Sequence, residues 1–525
     1  MGMRNMSVKA PILAAGVRKG AVLLICAFGL WGLAGLSEFP GFTHDEAPII
    51  DAAISLVDHG HLGVPSAGPG REHDVAYLYQ SPLHPIVLAA IFRITGPRLL
   101  YGRLLSLVLA IGTLALLMTA MKPFGAAAQL VSVGLLAVDP LFAYRARQVR
   151  YDWLALVCVL GAWSVLWGWR GSENSRRLRL LGAGVLLGIA ASSHALYLLF
   201  APIYAITLLL LPLREPRAAY ERVVEVSLFG VGCMAALIPV GLYASFHPEA
   251  IRDQLLFQIH VHQSANRANW LWGELLKYCD YYRRAPLSLV SVAAAFGTLA
   301  SLLFRPKPAK EQCAVLDNRA RSVLLIAFGS PLFLGFASDH IPWHHLMITP
   351  FWAMLCGVAY FASQRFGASA TNRRLLVGLF ALAIVAGILT SWLERSLQMI
   401  QGWGSRDLTT VQSTLDEAIP LGSDVFGDYR LLLIARQAKW RFVAWYPVLN
   451  QDVEALARSE YPFVVLSSQT ETPDWMDLTK YRRFQVVSGP PERFSLPGLY
   501  KRLVPSTGLD DNRRIEFVIY KRLRS

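Results

Sequence analysis

Residues 20–47 read GAVLLICAFGLWGLAGLSEFPGFTHDEA. The first part is an apolar run long enough to cross a hydrocarbon core, which takes about 20 residues at a rise of about 1.5 Å each. The second part turns polar and delivers an acidic pair, Asp45 and Glu46, just beyond the run. Arg4, Lys9, Arg18 and Lys19 precede it, which also suits a signal peptide. The run is long and lacks an A-x-A-like end, so it reads as an uncleaved first span.

Working outward by the same rule, further spans fall near 100–121, 126–144, 152–169, 178–191, 194–212, 223–245, 286–304, 322–338, 345–362 and 375–393. The run 83–95 is too short and is broken by Pro82, Pro85 and Arg93, so it reads as a helix lying in the interface. The chain has 525 residues, 54% hydrophobic and 16% charged, against about 25% charged for a soluble domain. Nearly all the apolar runs lie in 1–394, while 395–525 has an ordinary soluble composition. The expected fold is therefore a polytopic α-helical membrane protein of about eleven transmembrane helices, with a C-terminal soluble α/β domain over 395–525. In that tail, 407–419 and 452–459 read as helices. Asp424 to Phe426, Phe463 to Leu466 and Glu516 to Tyr520 read as strands.

The net charge is +14, yet the cations cluster between apolar runs rather than on one face, which excludes a nucleic-acid reading. Arg170, Arg176, Arg177 and Arg179, then Arg214, Arg217 and Arg222, mark one side as cytoplasmic. Arg305 to Arg321 and Arg365 to Arg374 repeat the pattern, while the acids gather in the opposite loops. An odd number of spans then places the tail on the side away from the cytoplasm. The six cysteines are scattered, with no metal-ligand spacing, so neither disulfides nor a cysteine metal site is expected.

The outer connections 38–98, 246–285 and 339–344 are the long or polar ones, which is where function is expected. Thr43 followed by Glu46 is a capping box, and Ile50, Ala53, Ile54 and Val57 continue at helical spacing to Gly60. The plainer reading of the acids is that Glu46 closes the box and Asp45 complements the helix dipole, but the box does not need Asp45. The second constellation is Tyr144-Arg145-Ala146-Arg147-Gln148-Val149-Arg150-Tyr151-Asp152. Arginines on the outer face run against the positive-inside rule and suit a lipid phosphate, through a planar bidentate fork, or headgroup anchoring. Asp152 opens the next helix, where it can cap or act. His194 falls at the outer hinge between two spans, and Asp339 to His345 holds His340, His344 and His345. Histidines there suit a phosphate or a metal, although a lone His194 is more commonly a satisfied polar residue in a turn. The loop 246–285 mixes aromatics with cations, which suits an acceptor groove or the interface alike.

An acidic pair opening the first outer loop, a proline-led interfacial helix and an Arg-x-x-Arg-x-Asp at the next outer loop together resemble the GT-C glycosyltransferases. Within them, the pattern is similar to the bacterial branch of the protein mannosyltransferase and aminoarabinose transferase superfamily, over residues 20 to about 360. The resemblance implies transfer of a sugar from a polyprenyl-phosphate carrier to a lipid, glycan or protein hydroxyl outside the plasma (bacterial inner) membrane. It gives Asp45 the role of essential carboxylate with Glu46 as its partner, and Asp152 that of the second-loop carboxylate. Arg147 and Arg150 become its companions at the donor phosphate, with His194, His340, His344 and His345 as further phosphate ligands. Ser81-Pro82 stands where the family often has Lys-Pro, which removes one expected cation. A divalent ion bridging Asp45, Glu46 or Asp152 with the phosphate is an option that this reading leaves open; no other cofactor is implied. The donor has a built-in leaving group, so the chemistry needs preorganised positive charge and a general base, and single displacement would invert the anomeric centre. The alternative, a transporter or lipid flippase, would place ionisable residues near the midplane and interrupt helices in two repeated halves. Here the acids and histidines gather at outer helix ends. A non-catalytic assembly or sensor protein would leave the Asp45 and Asp152 clusters without a purpose.

Overall fold

A computed structural model describes residues 9–523 except 69–75, 77–80, 169–172, 212–218, 251, 253, 255–285, 304–317, 338–341, 366–368, 402–407, 447–455, 457–459, 468–475 and 489–515. The expected helix 452–459 therefore lies, apart from Leu456, outside the described residues, as do His340 and most of 246–285.

Helices occupy every expected span. The first half comprises α1 (Lys9–Leu33), α2 (Glu46–His59), α3 (Leu83–Thr95), α4 (Leu99–Ala120), α5 (Ala126–Ala137), α6 (Pro140–Arg145), α7 (Asp152–Trp163) and α8 (Glu173–Ser193). Then follow α9 (Phe200–Leu210), α10 (Ala219–Ser245), α11 (Pro286–Leu303), α12 (Asn318–Ala337), α13 (Thr349–Arg365) and α14 (Ala370–Gly387). Five stretches among the described residues are long and apolar enough to cross a membrane: Ala15–Leu33, Leu99–Ala120, Ala219–Ser245, His345–Arg365 and Ala370–Ile400. Several other helices are apolar but shorter. Leu23, Leu30, Met234, Ile238, Leu382 and Val385 are exposed on these helices, an outer apolar surface that suits lipid rather than water. The chain is a multi-pass membrane protein.

One expected span, 126–144, divides in two. Asp139 accepts hydrogen bonds from the Leu141 and Phe142 N–H groups at 3.0 and 2.9 Å, and Pro140 follows it. That is a new helix start, with an N-cap and a proline at the first position, so α5 ends and α6 begins at another angle. The break brings the end of α6 to Asp45, through Arg145. Elsewhere, α8 and α10 touch backbone to backbone at two points: a Cβ on Gly184 would lie 2.0 Å from the Phe229 carbonyl oxygen, and one on Gly232 would lie 2.2 Å from that of Leu181. Such small-residue contact is how helices approach closely in lipid.

The tail continues through α15 (Glu394–Gln401), α16 (Leu408–Ala418) and α17 (Leu432–Gln437), with strands β1 (Asp424–Asp428), β2 (Arg441–Trp445), β3 (Phe463–Ser467), β4 (Tyr481–Ser488) and β5 (Glu516–Arg522). They form one sheet of order β2-β1-β3-β5-β4, parallel across β2-β1-β3 and antiparallel at β5 and β4. This α/β unit is fastened to α2, in the loop after α1. Ile49, Ile50 and Ile54 of α2 share one core with Leu432, Ala444 and Tyr446. Helix α2 is consequently buried along Glu46 to Ser55.

Candidate active site

Asp45 stands at the N-terminal end of α2, and its carboxylate makes no capping bond. It turns instead to the second loop. Arg150 Nη1 lies 2.5 Å from Asp45 Oδ2 and Arg145 Nη1 lies 3.3 Å from the same oxygen, while His44 Nε2 is 3.5 Å from Oδ1. Arg150 also holds Asp152, with Nε 3.0 Å from Oδ2. On the far side of Asp152, His194 Nδ1 is 3.2 Å from Oδ1. His194 reaches this place because its extended backbone, between α8 and the short helix Ala195–Leu199, interrupts the helical run. The result is a continuous chain of charges, Arg145–Asp45–Arg150–Asp152–His194, that draws on four segments.

Burial alone would raise the Asp45 carboxyl, but Arg150, His44 and Arg145 overcome it and hold the group at about 2. Arg150 loses by burial yet is pushed above its ordinary range by Tyr151, Asp45 and Asp152. The Asp45 side chain keeps 25% of its exposure, whereas those of Asp152 and Arg150 keep 2% and 4%. Of the two carboxylates in the chain, Asp45 is the one a substrate can reach.

Glu46 faces the other way. Arg103 grips it with Nε and Nη2, both at 2.9 Å, in a pair with no exposed side-chain surface. Glu46 also accepts the Val149 N–H at 2.8 Å and the Thr43 N–H at 3.0 Å, the second being the expected half of the capping box. Arg103 further donates to the Leu36 and Gly41 carbonyls, each at 3.1 Å. Glu46 and Arg103 thus lock α2, α4 and the second loop together.

Arg147 does not join the charge chain. It is fully buried under the end of α1, donating to the Ala34 carbonyl, with its guanidinium 5.2 and 5.1 Å from the Trp31 and Phe39 rings. Burial, helped by Arg103 and Arg395, brings it down to about 9. His345 is buried in the helix Pro342–Met347, which packs on α6 and α7, and His344 belongs to the same short helix.

Residues 79–243 match the family described as dolichyl-phosphate-mannose-protein mannosyltransferase. No curated protein matches the chain. Among solved structures, ArnT from Cupriavidus metallidurans bound to undecaprenyl phosphate superposes with a TM-score of 0.58 at 14% identity, over 95% of this chain and 97% of that one. The arabinofuranosyltransferase AftD from Mycobacteria gives 0.56 at 12% identity, over 97% of this chain and 40% of that one. The fold is that of the GT-C glycosyltransferases.

Within this GT-C fold, three residues hold places that the motifs did not announce. Arg145, rather than Arg147, is the second arginine on Asp45, because α6 ends at Arg145 and the chain then turns. Arg103 carried one available signal: an ionisable residue inside a span needs a buried partner. His84 is the third. It is fully buried, and neither ring nitrogen has a hydrogen-bond partner among the described residues. Burial pushes it down to about 4, with Asp152 pulling it up and Arg150 pressing it further down. It therefore sits close to the charge chain, one turn after Ser81, whose φ of 86° is strained for a side-chain-bearing residue.

Asp45, Glu46 and Asp152 do not converge on one point as a metal-ligand set. No group of three His, Cys, Asp or Glu side chains among the described residues converges as a ligand set. The Arg150 guanidinium lies between Asp45 and Asp152, and both Glu46 oxygens are taken by Arg103 and backbone N–H groups.

Proposed function

We propose that this chain is an integral-membrane glycosyltransferase. It takes a sugar from a polyprenyl-phosphate carrier and passes it, with inversion, to a hydroxyl of a lipid, glycan or protein. The site and the tail face away from the cytoplasm, in the plasma (bacterial inner) membrane of a bacterial cell. The observation that carries the reading is the charge chain itself, in which two outer-loop carboxylates share Arg150 at the mouth of a GT-C bundle.

The electrostatics explain how such a site works. In the free enzyme Asp45 is a poor base, because Arg150 and Arg145 stabilise its charge. A donor phosphate arriving at the same arginines competes for them, through the planar forks that suit phosphate oxygens. As the arginines turn toward phosphate, the Asp45 carboxylate loses its partners and becomes more basic. It then accepts the proton of the acceptor hydroxyl as the hydroxyl oxygen bonds to the anomeric carbon. The carbon–oxygen bond to the phosphate breaks, and its electron pair leaves with the carrier phosphate, held by Arg150 and Arg145. Asp152 and His194 hold Arg150 in place. His84, whose ring nitrogens have no partner among the described residues, supplies a ring N–H one turn beyond Ser81, which stands where the family often has lysine.

Reconstitution with a panel of polyprenyl-phosphate sugars tests this reading. Wild type transfers at least one of them, and Asp45→Asn does not. Full transfer by Asp45→Asn removes Asp45 from the mechanism, and transfer only from nucleotide sugars rejects the donor class.

A further inference from the structure

A cavity of about 760 Å³ opens between α2 and the C-terminal sheet, away from the charge chain. Asp51, His59 and Ser66 line it from the first outer loop, and Asp424, Trp440 and Arg441 line it from the tail. Its size falls in the range of small-molecule sites, about 300–1,000 Å³. Helix α2 fixes its distance from the chemistry. Asp51 lies six residues beyond Asp45, about 9 Å along the axis, and His59 about 21 Å.

The lining discriminates among ligand classes. Every lining carboxylate has a partner: Arg441 grips Asp424 with two contacts of 2.6 Å, Arg522 pairs with Glu460, and Asp51 accepts from the Ser66 N–H and hydroxyl at 2.9 and 2.5 Å, while the lining Arg436 pairs with Asp58. With the cations already balanced, the cleft offers no excess charge to an anion. A polypeptide strand has no free edge to join, because the outer edge of β2 is flanked by Pro65–Ala67. What the walls do offer is planar, bidentate polar groups beside aromatic rings. One donor there is unspent: Trp440 is 6% exposed, and its indole N–H has no hydrogen-bond partner among the described residues. A buried donor of that kind is costly unless a partner arrives. Uncharged ligands rich in hydroxyl groups, with apolar C–H faces, match this inventory.

We infer that this cleft is a binding site for a neutral saccharide, and that the acceptor of the transfer reaction is a glycan lying along α2 with its reactive end toward Asp45. The second half of that statement rests on the glycosyltransferase reading. The first half does not.

The test uses the full-length protein in nanodiscs without donor lipid. Binding of neutral mannotetraose, cellotetraose, chitotetraose and arabinotetraose is followed by saturation-transfer NMR, with inorganic phosphate as the charged competitor. At least one tetrasaccharide binds, and its Kd rises at least tenfold in both Trp440→Phe and Arg441→Gln. Arg441 is an exposed side chain whose loss leaves the core intact, so Arg441→Gln guards against a folding artefact at Trp440. Binding of polyprenyl phosphate stays at the wild-type level in Arg441→Gln. Failure of all four sugars to bind, equal binding by both variants, or displacement by phosphate overturns the inference. If the sugars fail while donor hydrolysis persists, the cleft is wrong and the transferase reading stands. If a sugar binds as described but no polyprenyl-phosphate sugar is turned over, the saccharide site stands and the transferase reading falls.

Discussion

Replacing Glu46 by glutamine separates two roles that its position next to Asp45 confuses. The carboxylate meets Arg103 through two contacts of 2.9 Å, with both side chains wholly buried. Removing one partner of such a pair leaves an uncompensated charge, at a cost of about 3–5 kcal/mol. At about 1.4 kcal/mol per decade, the folded-to-unfolded ratio falls by roughly two to nearly four orders of magnitude. Glutamine still offers one oxygen to the Val149 N–H, so the loss should come mainly from stranded Arg103. Adding Arg103→Met should therefore restore a substantial part of it, because an uncharged pair strands no ion. Denaturant titration of the detergent-solubilised protein measures the three variants, and transfer is normalised to the folded fraction. The reasoning fails if Glu46→Gln is as stable as wild type, or if the double variant is no more stable than the single one. An inactive but fully stable Glu46→Gln would return Glu46 to the chemistry.

Three other outcomes follow from the geometry. His84→Leu removes a buried imidazole with no described partner, so it should raise stability by about 1–3 kcal/mol while lowering transfer at least tenfold; unchanged transfer would make His84 a mere filler. Asp45 titrates at about 2 against an ordinary 3.8, so its pairing contributes stability that is full above pH 4 and is lost as pH falls toward 2. The difference in thermal midpoint between wild type and Asp45→Asn should accordingly shrink across that window. Gly184→Ala should abolish accumulation of folded protein in membranes, because its new Cβ meets the Phe229 carbonyl oxygen at 2.0 Å; Gly182→Ala, with nothing within 4 Å, should behave as wild type.

The helices were legible because a span must be apolar for its whole length, and because Thr43 and Glu46 announce α2 in a local code. The same local code hid the purpose of Glu46. Capping accounts for one of its bonds, while the pair with Arg103, 57 residues away, depends on how α2 and α4 pack. Choosing between Arg145 and Arg147 required the rotation of the chain after α6, which hydropathy does not encode. The break at Asp139 was readable as an N-cap followed by proline, but it lies inside an apolar run and was outweighed by it. In the tail, β1, β3 and β5 stood out as hydrophobic strands. By contrast, β4 is largely exposed and reads as polar chain, and β2 is only five residues long.

The bare contact of α8 and α10 has a bearing on how the lipid-borne donor proposed above would get in. Where two backbones touch at Gly184 and Gly232, no methyl group or ring lies between them that could swing aside. At those two points the prenyl tail of that donor would find neither a crevice to occupy nor a gate to push. Sideways passage from the bilayer must run between helices whose contacts are made by side chains, since only those can part without dragging the main chain with them.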